Sequence, residues 1–231
     1  ARSEKRLMRR VIASELIDAP DVDPLELAGN FTDIELANRR FGGIGPVITA
    51  VFEHDAAWLL DVGCGSGDVA RALLGEARSR GRRLEIVALD VSDSVLAIAR
   101  ERTGEEPLLR FVRGDARVLP FPDAAFDVAT CNLTMHHFDE DAAVEVLREL
   151  RRVARLTPIV CDLARSRLGY VGASLFATFL AKNRLTKHDG PLSVRRAYSA
   201  QELAGLANMA GWVRPRVRSS SYFRLVMNDA G

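Results

Sequence analysis

The sequence is poor in several things, and each scarcity removes a class of function. It has three cysteines in 231 residues: Cys64, Cys131 and Cys161. An odd number, each in or just after an apolar run, builds no disulfide framework and reads as small core residues in a reducing compartment. There are four histidines, and no pair has the spacing of metal ligands, so no metal is expected. Net charge is +1 and aromatic content 6%, with no basic stripe interleaved with aromatics, so nothing points to nucleic acid. The longest uncharged run, Leu168 to Ala181, has 14 residues. A bilayer span needs about 20, so no stable membrane insertion is expected. No secretory signal precedes the first apolar strand, which suggests a cytoplasmic protein. There is no internal repeat and no low-complexity linker. What remains, 48% hydrophobic and 27% charged, is the composition of a globular domain.

The most informative segment is Trp58-Leu-Leu-Asp-Val-Gly-Cys-Gly-Ser-Gly-Asp-Val-Ala70. An apolar run ends in Asp61. Glycines follow at alternate positions, Gly63, Gly65 and Gly67, and then Val69, Ala70, Leu73, Leu74 and Ala77 fall at helical spacing. This predicts a strand, a tight loop and a helix N-terminus. Glycine permits positive φ and removes the side chain that would keep a ligand from the backbone. The spacing is Gly-x-Gly-x-Gly and not the Gly-x-Gly-x-x-Gly of dinucleotide binders, which argues against a nicotinamide oxidoreductase. A second apolar strand, Leu84 to Asp90, ends in an acid about 20 residues past the loop, where nucleotide-binding α/β folds hold ribose hydroxyls. Asp90 could equally be a turn acid before the next helix, although Ser92 and Asp93 are better caps.

Strands and helices alternate from 57 to about 162, which predicts a parallel sheet with right-handed crossovers. Ala143, Val146, Leu147, Leu150, Val153 and Ala154 make one helical stripe. Pro158 to Asp162 reads as a fifth strand, and Val213–Val217 with Tyr222–Met227 as a closing hairpin. Residues 1–53 read as a helical extension or lid, with Leu7, Val11, Ile12 and Leu16 on one face and a basic helix-like stretch over Glu4–Arg10. Residues 54–231 form the main unit. Within it, 163–198 read as a substrate-lid insertion: an apolar helix, Val171 to Leu180, and then a polar loop, Lys187 to Arg196. Ser199-Ala-Gln-Glu202 is a capping box opening a helix that closes at Gly211.

The loop with its preceding acid resembles the cofactor loop of class I S-adenosylmethionine (SAM) methyltransferases. That resemblance implies a Rossmann-like fold: a seven-stranded, mostly parallel sheet with a C-terminal antiparallel hairpin. It also implies SAM as methyl donor and S-adenosylhomocysteine (SAH) as product. Asp115 and Ala116, in Phe111-Val-Arg-Gly-Asp-Ala116, match the positions that hold adenine. Asn132, ending Phe126-Asp-Val-Ala-Thr-Cys-Asn132, matches the end of the strand beside the methionine half. With Asp61, Gly63, Cys64, Gly65, Gly67, Asp90 and Val91 these are the expected cofactor contacts. Arg40 is a candidate for the cofactor carboxylate, from the family position of such N-terminal segments. The usual Pro-Gly-Gly turn before the fifth strand is replaced by Arg155-Leu-Thr-Pro158, which shortens that turn.

From about 55 to 162 the chain is similar to small-molecule methyltransferases of the ubiquinone and menaquinone type. The flanking motifs Glu15-Leu-Ile-Asp-Ala-Pro-Asp-Val-Asp-Pro24 and His188-Asp-Gly-Pro-Leu-Ser-Val-Arg-Arg196 resemble a bacterial subgroup found beside type III polyketide synthases. This implies O-methylation of a phenolic or quinone-like polyketide, with ring C-methylation or a silent SAM-binding scaffold as alternatives. Elimination agrees with a small-molecule acceptor, which the resemblance and the apolar helix make aromatic and apolar. Asn132-Leu-Thr-Met135 lacks the Pro-Pro-aromatic run of nucleic-acid amino methylation, Cys131 does not follow proline, and there is no paired-glutamate loop for a guanidinium. A phenol has a pKa of roughly 10, so a histidine base is useful. His188 on the lid segment is the expected base, with His136 and His137 beside the methyl; structural hydrogen bonding is the alternative for that pair. The 171–180 helix either lines the acceptor pocket or packs on the sheet. Arg165, Arg167, Arg195 and Arg196 either bind an acidic group or are solvated.

Overall fold

A computed structural model of the chain describes residues 8–19, 21–41, 43–220 and 223–230. Seven strands form one sheet: β1 (Trp58–Val62), β2 (Glu85–Asp90), β3 (Leu109–Arg113), β4 (Phe126–Asn132), β5 (Ala154–Leu163), β6 (Pro215–Ser220) and β7 (Arg224–Asp229). Their order is β3-β2-β1-β4-β5-β7-β6. The first five are parallel, and β7 runs antiparallel between β5 and β6. Every residue of β4 is buried, as expected of a central parallel strand covered on both faces.

Alternation along the strands feeds two cores. Leu60, Val62 and Ala129 point to a layer filled by Val146, Leu147 and Leu150 of α5 (Glu140–Val153) and Leu203 of α8 (Ala200–Met209). Leu59, Ile86 and Val128 point to the opposite layer, filled by Val47 of α2 (Gly45–Phe52), Leu73 of α3 (Asp68–Ser79) and Leu96 of α4 (Asp93–Thr103). Each fully buried side chain of this size contributes about 1.5–3 kcal/mol. Helix α1 (Pro24–Arg40) packs Leu27 and Phe31 on Val95 and Ile98 of α4.

The strand-helix alternation and the sheet agree with the sequence reading; four local readings do not. Residues 8–15 are not helical, and a single 3-10 turn covers Leu16–Asp18. Their backbone is held by distant partners instead: Arg165 Nε donates to Met8 O, Val11 N–H to Arg195 O, and Leu16 and Ile17 N–H to Asp189. Leu7 and most of the Glu4–Arg10 stretch lie outside the described residues. The polar loop expected at 187–196 is helix α7 (Arg184–Arg196), with Pro191 inside it. Asn183 caps it by accepting from Leu185 N–H, and buried Leu185, Asp189 and Val194 fix it against its neighbours, outweighing the hydrogen bond that proline cannot make. The hairpin strands are shifted to 215–220 and 224–229, and Tyr222 lies outside the described residues. The apolar helix starts earlier than its apolar run, as α6 (Arg167–Phe179), because Ser166 accepts from Gly169 N–H and caps it. Strand β5 begins directly after α5, in keeping with the shortened turn.

Candidate active site

Strand order reverses between β1 and β4, and open α/β sheets bind ligands at the carboxyl ends of strands at such a point. A cavity of about 1060 Å³ opens there. Asp61, Gly63, Cys64, Gly65, Asp90, Val91, Asp115, Ala116, Asn132, His136 and His137 all line it, so the fold gathers nearly all the expected residues into one crevice.

The glycine loop takes the conformation its spacing predicts. Gly63, Gly65 and Gly67 have φ of +70°, +52° and +74°. A Cβ on Gly63 would run into Thr134, and one on Gly65 would lie 3.2 Å from Phe31 Cε1. Gly67 does not line the cavity; it is the N-cap of α3 and sets the turn. Asp61 is 1% exposed. One of its oxygens accepts from Thr130 Oγ1–H at 3.0 Å, and the other has no partner among the described residues. Burial, with the neighbouring charges of Asp68 and Asp90, pushes its pKa up to about 7. An orphaned buried carboxylate oxygen beside a backbone cradle fits a ligand bearing an ammonium group, as the methionyl end of SAM does.

Asp90 accepts Gly65 N–H at 3.2 Å and Ser92 N–H at 3.1 Å, tying the glycine loop to α4. Ser92 itself caps α4 through Val95 N–H. Burial raises the Asp90 pKa. Asp115 is half exposed and paired with Arg117 at 2.6 Å, whose hydrogen bond holds its carboxyl below the usual range. Cys64, Cys131 and Cys161 are free and buried, and burial raises each thiol pKa far from neutrality.

Besides Gly67, two expected residues fall elsewhere. Arg40 is exposed in the last turn of α1 and does not line the cavity, because the helix turns Asn38 inward instead. Asn38 Nδ2 donates to Asp68 at 2.9 Å and its oxygen accepts from Arg224 Nη2 at 3.2 Å. Arg224 is the buried guanidinium of the cavity wall, and its Nε and Nη1 lack partners among the described residues. His188 is also outside the lining: its side chain is 52% exposed on α7 and its Nδ1 meets Asp189 at 2.7 Å. Because 187–196 is helix and not loop, His188 turns outward while Asp189 turns in.

The histidines that do face the cavity sit in a network reached from four parts of the chain. His136 Nδ1 lies 2.7 Å from Asp162 Oδ1, and His137 Nδ1 lies 2.9 Å from Asp18 Oδ1. The two rings stack with centroids 4.5 Å apart. Burial depresses the His137 pKa, but the Asp18 hydrogen bond and the charges of Glu15 and Asp18 outweigh it, and the net shift is upward. Glu15, 4% exposed, faces both rings. Glu15 lies in a flanking motif but no catalytic pattern surrounds it, so a place in the cavity for Glu15, Asn38 and Arg224 is not readable from the sequence. Arg165 is neutralised by Glu202 and Arg196 by Asp18, while Arg167 and Arg195 are exposed.

One side of the cavity is apolar. Gly169, Gly172, Ala173 and Phe176 of α6 line the cavity, and Phe41 packs edge-on to Phe176 at 5.9 Å. The helix therefore forms pocket wall. Leu133 and Phe223, two non-glycine residues with positive φ (53° and 60°), also line it, local strain of the kind found at ligand sites. No helix among the described residues is long and apolar enough to cross a membrane.

Residues 59–156 match the family described as "Methyltransferase domain". Over 106 residues the chain is 39% identical to a demethylmenaquinone methyltransferase of Deinococcus radiodurans, covering 46% of this chain and 41% of that protein. Over 103 residues it is 39% identical to a ubiquinone/menaquinone biosynthesis C-methyltransferase of Dinoroseobacter shibae, covering 42% and 40%. The aligned region thus spans about two-fifths of these relatives. Among solved structures, a SAM-dependent methyltransferase of Aquifex aeolicus superposes with a TM-score of 0.63 at 19% identity, covering 90% of this chain and 98% of that one. Human N-acetylserotonin methyltransferase, solved with SAM, gives 0.63 at 15% identity over 88% and 55%. Residues 59–156 are thus similar to a methyltransferase domain, and the chain has the Rossmann-like fold seen in the Aquifex aeolicus SAM-dependent methyltransferase.

Proposed function

We propose that this protein transfers a methyl group from SAM to a ring carbon of a small quinol-type acceptor. The observation that carries the reading is the cavity itself, which joins the glycine loop to an apolar chamber ending in the Glu15, His136 and His137 network. The quinone-biosynthesis relatives favour carbon over oxygen as the methylated atom. Phenolic O-methylation of a polyketide is the second reading, supported by the flanking motifs around Glu15 and His188.

When bound, SAM supplies an activated methyl on its sulfonium. The chain's own work is to position, dry and deprotonate. Asp90 is suited to the ribose hydroxyls, Ala116 and Asp115 to the adenine, and Asp61 with Asn132 to the methionyl end. Holding donor and acceptor in line supplies several kcal/mol of the barrier. The apolar walls of α6 exclude water from the sulfonium. An acceptor hydroxyl facing the Glu15, His136 and His137 network gives up its proton to it, which makes the ring electron-rich at the carbon ortho or para to it; once methylated, that carbon loses its own proton and the ring is aromatic again. Asp162 holds the His136 ring for this task.

The test is to incubate the protein with SAM and a panel of quinols, alkylresorcinols and catechols, and to locate any added methyl by mass spectrometry and NMR. A ring-carbon methyl is the expected product. A methoxy product moves the reading to the phenolic alternative. No product from any member, with SAH still bound, contradicts the acceptor class.

A further inference from the structure

We propose that Glu15, His136 and His137 bind one divalent transition-metal ion, with its open coordination side toward the cavity. No spacing of ligands along the chain reveals this trio, because Glu15 is brought in from the N-terminal segment. The ligand atoms of the three residues lie within 4.8 Å of one another. His136 Nε2 is 3.9 Å from Glu15 Oε1, and His137 Nε2 is 3.7 Å from Glu15 Oε2. Donors bonded to a tetrahedral ion at about 2.0–2.2 Å sit roughly 3.4 Å apart, so both glutamate pairs need to close by only about half an ångström or less.

The surroundings point the same way. Each histidine has its other ring nitrogen on a carboxylate, His136 Nδ1 on Asp162 and His137 Nδ1 on Asp18. With the Nδ1 atoms so engaged, both Nε2 atoms face Glu15. This carboxylate–histidine arrangement is the one that orients metal-bound imidazoles. Arg196 Nη1 lies 3.6 Å from Glu15 Oε1, and the acid's second oxygen faces His137 Nε2. Ser193 Oγ–H donates to Glu15 Oε1 at 2.9 Å but does not lie between the rings and the acid's second oxygen.

Among the described residues, Glu15, Asp18, Asp162 and Asp189 join this network. Arg196 donates to Asp18 and to the His136 and His137 carbonyls and lies 3.6 Å from Glu15; Arg10 donates to the Arg196 and Phe138 carbonyls. The ligands are held in place beforehand: Asp162 also accepts His136 N–H, and Asp189 accepts Leu16 and Ile17 N–H, which fixes the backbone beside Glu15. Two imidazoles and one carboxylate suit zinc or iron(II) and leave coordination positions vacant for a ligand oxygen. The ion's use, holding the acceptor's phenolate oxygen, rests on the methyltransferase reading; its binding does not.

The experiment is calorimetric titration of chelator-treated full-length protein with Zn²⁺, repeated for Glu15→Gln, His137→Asn and Asp18→Asn, with the visible absorption spectrum of the Co²⁺ form as a second readout. Thermal stabilisation by SAH reports that each variant is folded. The expected result is one ion per chain, saturable binding lost in the first two variants, and affinity about 10–100-fold weaker in Asp18→Asn. Zn²⁺ affinity equal in wild type and variants, with SAH still stabilising all of them, overturns the site. Loss of Zn²⁺ binding confined to the variants, in a protein that no SAH stabilises, upholds the metal site and removes the cofactor reading instead.

Discussion

Asp61 shows how burial tunes a single residue for a ligand. Its pKa of about 7 in the fold lies above the ordinary 3.8. The folded chain therefore holds a proton that the unfolded chain releases between those values, and this contribution to the free protein's stability falls as pH rises from about 4 to 7. An ammonium group beside the carboxylate restores the ionised form, so SAH binding expels the proton. Affinity should rise by up to about tenfold per pH unit below 7 and level off above it, with the dependence absent in Asp61→Asn. Calorimetry in buffers of different ionisation enthalpy reads the proton directly, and a flat profile contradicts the assignment. At the other side of the cavity, Asp162→Asn should lower turnover by about 10²–10³-fold and leave SAH affinity unchanged, because the variant misorients His136 without touching the cofactor contacts. His188→Ala, a half-exposed position outside the cavity, should stay within roughly twofold of wild type. Steady-state kinetics and SAH titration separate these outcomes. Asp61 and Asp90 were legible because an acid ending an apolar strand has a fixed place in the fold. Arg224 and Glu15 were not, because their partners lie at the far end of the chain.

At the scale of elements, the strand–loop–helix around the glycines was readable because local geometry dictates it. Gly65 illustrates the constraint: φ of +52° and a Phe31 carbon 3.2 Å from a would-be Cβ. Gly65→Ala should destabilise by about 1–2 kcal/mol and abolish SAH stabilisation, as a thermal-shift comparison would show. Helix α7 was misread as a loop because Gly190-Pro191 and its polar residues are local signals, whereas its helicity comes from packing Leu185 and Val194. The 8–15 segment failed in the opposite sense: its helical spacing of apolar residues is overruled by backbone bonds to Arg165, Arg195 and Asp189. Helix α6 has two apolar faces, which explains its unbroken apolar run. One lines the cavity through Phe176, and Leu168, Val171, Leu175 and Phe179 are exposed on the other. Phe176→Ala should raise the acceptor KM with SAH affinity unchanged; weakened SAH binding would place Phe176 in the cofactor site instead.

For the whole molecule, the sheet order follows from alternating strands and right-handed crossovers, and this fixes the crevice between β1 and β4. In the proposed function the β1–β3 ends hold the donor, and the β4 and β5 ends, with α6, α7 and the N-terminal segment beside them, hold the acceptor. If donor and acceptor share this crevice, a crystal structure with SAH bound will show it: ribose hydroxyls on Asp90, adenine beside Asp115 and Ala116, the amino-acid end at Asp61 and Asn132, and sulfur directed toward Glu15, His136 and His137. SAH bound outside this crevice, or inside it with sulfur turned away from those three residues, would contradict it.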